Sequence, residues 1–432
     1  MKRLVAGLAF GLALSSGAWA QDKAAAGAMI SAMQSVETRD WVKAGTLAAP
    51  AGQVGKDIIE WHRLRSATGT FAEYQSFIAR RPDWPGMTYL KKAGEASIPK
   101  DADPKQVIDY FVGQDPQTGV GALRLAAALQ QVGAGDLAAA AVVKAWRELS
   151  LTQAEEGAFL SQYSKTLAPH HSARQDALLW RDRATEAERM QALVDSGTAK
   201  LAAARIALIR KDDGVDALIA AVPSALSDDP GLAYARFQWR DSKGRINDAT
   251  ALMQERSASK ESLGQPEAWS NRRRDLARQL MRDGKAKEAY QLASRHYLTE
   301  GDDYSDLEWL SGFIALTDLK DPETALKHFR HLRIAVATPI SLGRAGYWEG
   351  RAYEATGRTE DARAAYAFGG EFQSSYYGLL AAEKAGLPMD ADLLGKEAYA
   401  DWRSASFVKS SVFQAAMLLR AADQPLLFTR FL

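Results

Sequence analysis

At recurring helix stops in this chain a glycine is followed, four and five positions on, by an acidic residue and an alanine: Gly244 with Asp248 and Ala249, Gly284 with Glu288 and Ala289, Gly357 with Asp361 and Ala362. A degenerate copy runs from Lys320 to Ala325, and the steps are 40 (284−244), 36 (320−284) and 37 (357−320) residues. A step of roughly 34–45 residues is one helical hairpin. Each hairpin carries an apolar face that it cannot bury alone, so neighbours stack and the chain grows as a solenoid. The glycine ends the first helix in a left-handed conformation, and the alanine lets the second helix approach the first. Weaker copies lie at Gly133 to Asp136 and Lys211 to Gly214. The fold expected is all-α, a right-handed-type superhelix of tetratricopeptide-like hairpins.

Local signals agree with helices throughout. No sustained alternation of Val, Ile and Thr marks a strand. Thr152 with Glu155, Thr185 with Glu188, and Ser305 with Glu308 fit the capping box. Asp321 followed by Pro322 fits an N-cap with proline at the first helical position. In the stretch from Arg80 to Glu95, the face of Phe71, Tyr74, Phe77 and Ile78 ends near Arg80, because Pro82 cannot continue a helix. Pro85 suits the first position of the next helix, with Met87 and Leu90 on its apolar side. Trp84 then fills the corner between the two.

Met1 to Ala20 reads as a secretory signal: Lys2 and Arg3, an apolar run from Leu4 to Leu14, and small residues at Ala18 and Ala20. This predicts a mature chain in the periplasm that is not an integral membrane protein, since no later run approaches the roughly 20 apolar residues of a membrane helix. There are no cysteines among the 432 residues, so packing alone must hold the fold. With 54 Lys and Arg against 53 Asp and Glu, the net charge is +1 and no basic block stands out. Nucleic acid is therefore not expected as a partner.

Candidate chemistry is sparse. The acidic stretch from Glu300 to Glu308 misses the spacing of a calcium loop and reads as a solvated connection. His328 and His331 lie one turn apart without the Glu of a zinc-protease motif, and read as an exposed helix flank. His170 and His171 read as another helix start, with no nucleophile motif beside them. The sequence accordingly assigns no catalytic, cofactor-binding or metal-binding residue and implies no cofactor. An acid/base pair of carboxylates that meets only in space would escape such a reading.

The run Tyr347, Trp348, Gly350, Arg351, Ala352, then Gly357, Ala362 and Tyr366, then Phe372 to Pro388 with Tyr376, Tyr377, Gly378, Ala381 and Gly386, resembles the end of the superhelical region in soluble lytic murein transglycosylases. The signal, the early bend at Trp84 and the hairpin array fit the same family over essentially the whole mature chain. The resemblance implies a U-shaped superhelix, residues 21–370, and a linker region, 371–432, that together close into a ring carrying a lysozyme-like catalytic domain. It also implies peptidoglycan glycan strands as partner. Such enzymes cleave the bond between N-acetylmuramic acid and N-acetylglucosamine. One glutamic acid first protonates the leaving oxygen and then acts as base on the muramyl 6-hydroxyl, giving a 1,6-anhydro product.

The catalytic domain of that family opens on a Glu-Ser motif, followed by Gly-Leu-Met-Gln. Here the single Glu-Ser is Glu261 with Ser262, in a polar, turn-prone stretch, and Leu252 to Gln254 precedes it. Neither is taken as catalytic. After Pro425 a new amphipathic helix begins and stops at Leu432, with no cap and no evident partner for its apolar face. The sequence thus reads as a superhelical portion truncated before its catalytic domain, its last helix frayed. The rival readings are a non-catalytic periplasmic solenoid adaptor for protein partners, and a complete enzyme built on an unseen carboxylate pair.

Overall fold

The computed structural model describes residues 23–432, so the signal expected at Met1 to Ala20 lies outside the described residues. Those residues form helices joined by turns and one longer irregular stretch at 387–401, without a strand, and successive helices pair along the chain. The fold is an all-α solenoid. No helix among the described residues is long and apolar enough to cross a membrane. By packing, the chain forms two compact units, one of residues 23–170 with 399–432, the other of residues 171–398, a partition distinct from the superhelix and linker of the sequence.

The hairpin turns behave as their residues dictate. Gly244, Gly284 and Gly357 all take left-handed backbone, with φ of 73°, 74° and 73°. At each, the next residue donates back five positions: Arg245 to Arg240 O at 2.9 Å, Lys285 to Leu280 O at 2.9 Å, Arg358 to Tyr353 O at 3.0 Å. That is the 6→1 bond of a Schellman ending. Lys320 adopts the same conformation without being glycine, at φ 57°. Ala249, Ala289, Ala325 and Ala362 all follow five residues after these turns and all are buried. The weak copy at Gly133 obeys the rule with Ala138. The copy at Lys211 does not, because Asp216 occupies the alanine position and is exposed. Arg39 with Ala44 and Asp182 with Ala187 follow the same geometry, with φ of 59° and 57° and both alanines buried.

Two expected capping boxes are absent. Thr185 lies inside Ala184–Arg189, whose N-cap is Arg183, and Ser305 lies inside Gly301–Thr317, bonding back to Gly301 O at 3.1 Å. Thr152 caps with Glu155, and Asp321 caps ahead of Pro322, as expected. Thr70 forms a further full box with Glu73.

In the unit of residues 23–170 and 399–432, the helix Phe71–Arg80 ends where Pro82 requires. The next helix, Met87–Glu95, starts two residues later than Pro85, behind Gly86 at φ 78°. Trp84 is buried in the corner, edge-on to Phe77 at 5.6 Å between ring centroids. Its second neighbour lies more than three hundred residues further on. Phe431 stands edge-on to Trp84 at 5.1 Å and to Trp61 at 5.4 Å, while Trp84 Nε1 donates to Ser411 Oγ at 2.9 Å. The last helix, Pro425–Phe431, is therefore not left without a partner. Ala415, Ala416, Leu419 and Phe431 join Met29, Ile58, Trp61, Phe77 and Leu90 in one core. Burying an aromatic of this size is worth about 3–5 kcal/mol against truncation to alanine.

In the unit of residues 171–398, three helices, Pro339–Ala355, Thr359–Gly369 and Tyr376–Ala385, pack on a row of glycines. A Cβ at Gly346 would come within 2.6 Å of Gly369 Cα, one at Gly350 within 2.5 Å of the Tyr366 ring, and one at Gly343 within 2.6 Å of Ser375 Oγ. The spacing of 343, 346 and 350 puts all three on one helical face. Trp348 fills the adjoining space against Phe313, Phe329 and Tyr377.

Candidate functional site

The most concentrated chemistry in the unit of residues 171–398 is a knot of three histidines on one carboxylate. The hairpin of Gly301–Thr317 and Pro322–Ala335 supplies Glu308 from its first helix and His328 and His331 from its second. Glu308 Oε2 lies 2.7 Å from His328 Nδ1 and 3.2 Å from His331 Nδ1. Its Oε1 lies 3.1 Å from Nε2 of His296, in the segment after Ala286–Ser294. The backbone N–H of Leu298 donates to His296 Nδ1 at 3.0 Å, so that ring carries its proton on Nε2 and donates it to Glu308. His328 Nε2 meets Tyr290 Oη at 3.1 Å.

Glu308 is buried, which by itself pushes a carboxyl pKa up. The histidine hydrogen bonds and charges overcome this and hold it down at about 2. The carboxylate is thus a fixed anion. His328 is largely enclosed, with 13 % of its side chain exposed, whereas His331 has 54 % exposed. The stretch from Glu300 to Glu308 is consequently no solvated loop, and the flank expected of His328 and His331 holds for His331 alone. No sequence motif joins Glu308 to the histidines, but a hairpin pairs residues equidistant from its turn. Glu308 lies 12 residues before Lys320 (320−308) and His331 lies 11 after it (331−320).

Three other buried carboxylates are committed to structure. Asp57 accepts from Gln53 Nε2 at 2.8 Å and Arg81 Nε at 2.7 Å, with Arg80 at 3.2 Å. Glu95 accepts from the backbone N–H groups of Gln117 and Thr118, both at 2.8 Å, and from Thr118 Oγ1 at 2.6 Å. Glu349 pairs with Arg333 at 3.0 Å. Glu261 is exposed in the short helix Lys260–Leu263, and its own backbone N–H and Ser259 hold its carboxyl below the usual range. A general acid needs the opposite shift, so Glu261 does not suit that role.

A second feature of the same unit is an open groove of about 590 Å³ lined by Tyr234, Gln238, Trp239, Asp241, Asn271 and Arg272. Tyr234 stacks on Trp180 at 5.3 Å, donates to Ala268 O and accepts from Gln238 Nε2, both at 2.9 Å. Arg272 forks onto Asp241, its Nε and Nη2 at 2.9 and 2.7 Å from Oδ1. Such a rigid aromatic wall beside fixed amide, carboxylate and guanidinium groups suits a flat, hydroxyl-rich ligand.

These features define an all-α solenoid of helical pairs, with a polar groove and a buried histidine–glutamate knot in one unit. No protein-family model matches the chain. Comparison with curated proteins gives no match either.

Proposed function

We propose that this chain is the superhelical, non-catalytic portion of a periplasmic lytic murein transglycosylase, a tetratricopeptide-like superhelix that holds glycan strands for a separate lysozyme-like domain. The observation that carries the reading is the ordered run from Tyr347 to Pro388. Its motif residues Trp348, Gly350, Tyr366 and Tyr377 lie where consecutive helices close on one another. The groove beside Trp239 supports the same reading, since sugar rings lie well on aromatic faces flanked by polar groups. The chain alone is expected to release no anhydromuropeptides.

Co-sedimentation of the purified chain with peptidoglycan sacculi tests this. Saturable binding, weakened about tenfold or more in a Trp239→Ala, Asn271→Ala variant of unchanged helicity, is the expected result. Failure to sediment removes the reading, and undiminished binding by the variant removes the groove from it. A second reading, a protein-binding adaptor, is favoured by an apolar groove of about 330 Å³ with Ile108, Phe111, Leu125 and Leu129 in its wall and the exposed Val112 and Leu137 at its edge. An amphipathic helix fits such a groove. Under that reading sacculi are not bound, and a stoichiometric helical partner is lost in Leu137→Asp.

A further inference from the structure

We propose that Glu308, His328 and His331 form a binding site for one divalent transition-metal ion of the zinc class. This goes beyond the peptidoglycan reading and does not depend on it. One ligand atom from each of the three residues lies within 4.8 Å of the others. Both imidazole Nδ1 atoms converge on a single oxygen, Glu308 Oε2. Two rings and a carboxylate facing one point are the donor set of a two-histidine, one-carboxylate centre.

The two nitrogen-to-oxygen distances need little adjustment, and the two nitrogens lie within 4.8 Å of each other. Zinc bonds to nitrogen and oxygen of about 2.0–2.2 Å in a tetrahedral site separate neighbouring ligand atoms by about 3.3 Å. His331 Nδ1 stands 3.2 Å from Oε2 already, and His328 Nδ1 at 2.7 Å must open by about half an ångström. To bind the ion each ring gives up the Nδ1 proton that faces Glu308 and keeps one on Nε2, leaving the Nδ1 lone pair for the ion. His328 then donates to Tyr290 Oη, and His331 to water at its exposed edge.

The supporting groups are those that a metal centre uses. His296 donates Nε2–H to Glu308 Oε1 and is itself fixed by Leu298, so the carboxylate cannot swing away. Tyr290 sets the orientation of His328. Partners of this kind orient ligands and raise their affinity for the ion. Imidazole donors disfavour calcium and magnesium, which take oxygen ligands. His331, open to solvent, gives an entry path and leaves further coordination positions to water.

The test is titration of the untagged, metal-stripped chain with Zn²⁺ against a chromophoric chelator, and with Co²⁺ followed by its visible absorption. One ion per chain, at micromolar or tighter dissociation constant, is expected, with no competition from Mg²⁺. His331→Ala, on an exposed side chain that cannot upset the core, should weaken binding at least tenfold. Tyr290→Phe should weaken it by about 10–100-fold, as second partners do, while His170→Ala should leave it unchanged. Absence of saturable one-to-one binding overturns the site. So does binding that His331→Ala leaves intact.

Discussion

Glu308 shows how far one side chain depends on its neighbours. Burial alone would raise its pKa, yet the hydrogen bonds and charges of His296 and His328 hold it ionised with a pKa of about 2 against an ordinary 4.5. A carboxyl depressed in the folded state stabilises above its unfolded pKa, and that stability is lost as pH falls through the folded value. At 1.36 kcal/mol per pKa unit the gap is worth about 3 kcal/mol. Glu308→Gln should therefore cost about 3 kcal/mol at pH 7, and the difference from the natural chain should shrink between pH 4.5 and 2. Urea midpoints across that range check it. A constant difference would mean that the histidines do not stabilise the charge.

At the scale of elements, the turns are where sequence and structure agree best. Gly244, Gly284 and Gly357 are legible because glycine is the residue that a left-handed helix ending favours. Arg39 and Asp182 make the same turn unannounced, since their side chains carry no such signal. Thr185 and Ser305 misled for a related reason: their spacing to Glu188 and Glu308 matches a cap, but a cap exists only where the preceding backbone is not helical. The knot was half legible. His328 and His331 stand out as a pair, while Glu308 is joined to them only by reflection across the turn at Lys320. That lysine pays the left-handed penalty of about 1–2 kcal/mol. Lys320→Gly should accordingly stabilise the chain by up to about 1 kcal/mol, net of glycine's greater unfolded freedom and of the exposed bond from Lys320 Nζ to Thr317 O. Gly357→Ala should destabilise. Paired chemical denaturation curves decide both signs.

At the scale of the molecule, the two units differ in how they are threaded. Residues 171–398 make a unit from one continuous stretch, whereas the other takes its core from both ends of the described chain. Removing residues 399–432 should strip amide protection from the segment 29–90 and leave that of 171–398 unchanged, as read segment by segment in hydrogen exchange. Unchanged protection at 29–90 would contradict the role given to Phe431. The pairing of Trp84 with Ser411 spans 327 residues, and this sets an order in time. Chain emerging at roughly 5–20 residues per second leaves Trp84 waiting roughly 15–65 s for its partner. Within that interval every hairpin of residues 171–398 can close on neighbours already made. The helices around Trp61 and Trp84 are thus finished only after those of residues 171–398, and their aromatic surface stays open to whatever escorts the nascent chain until residues 411–431 arrive.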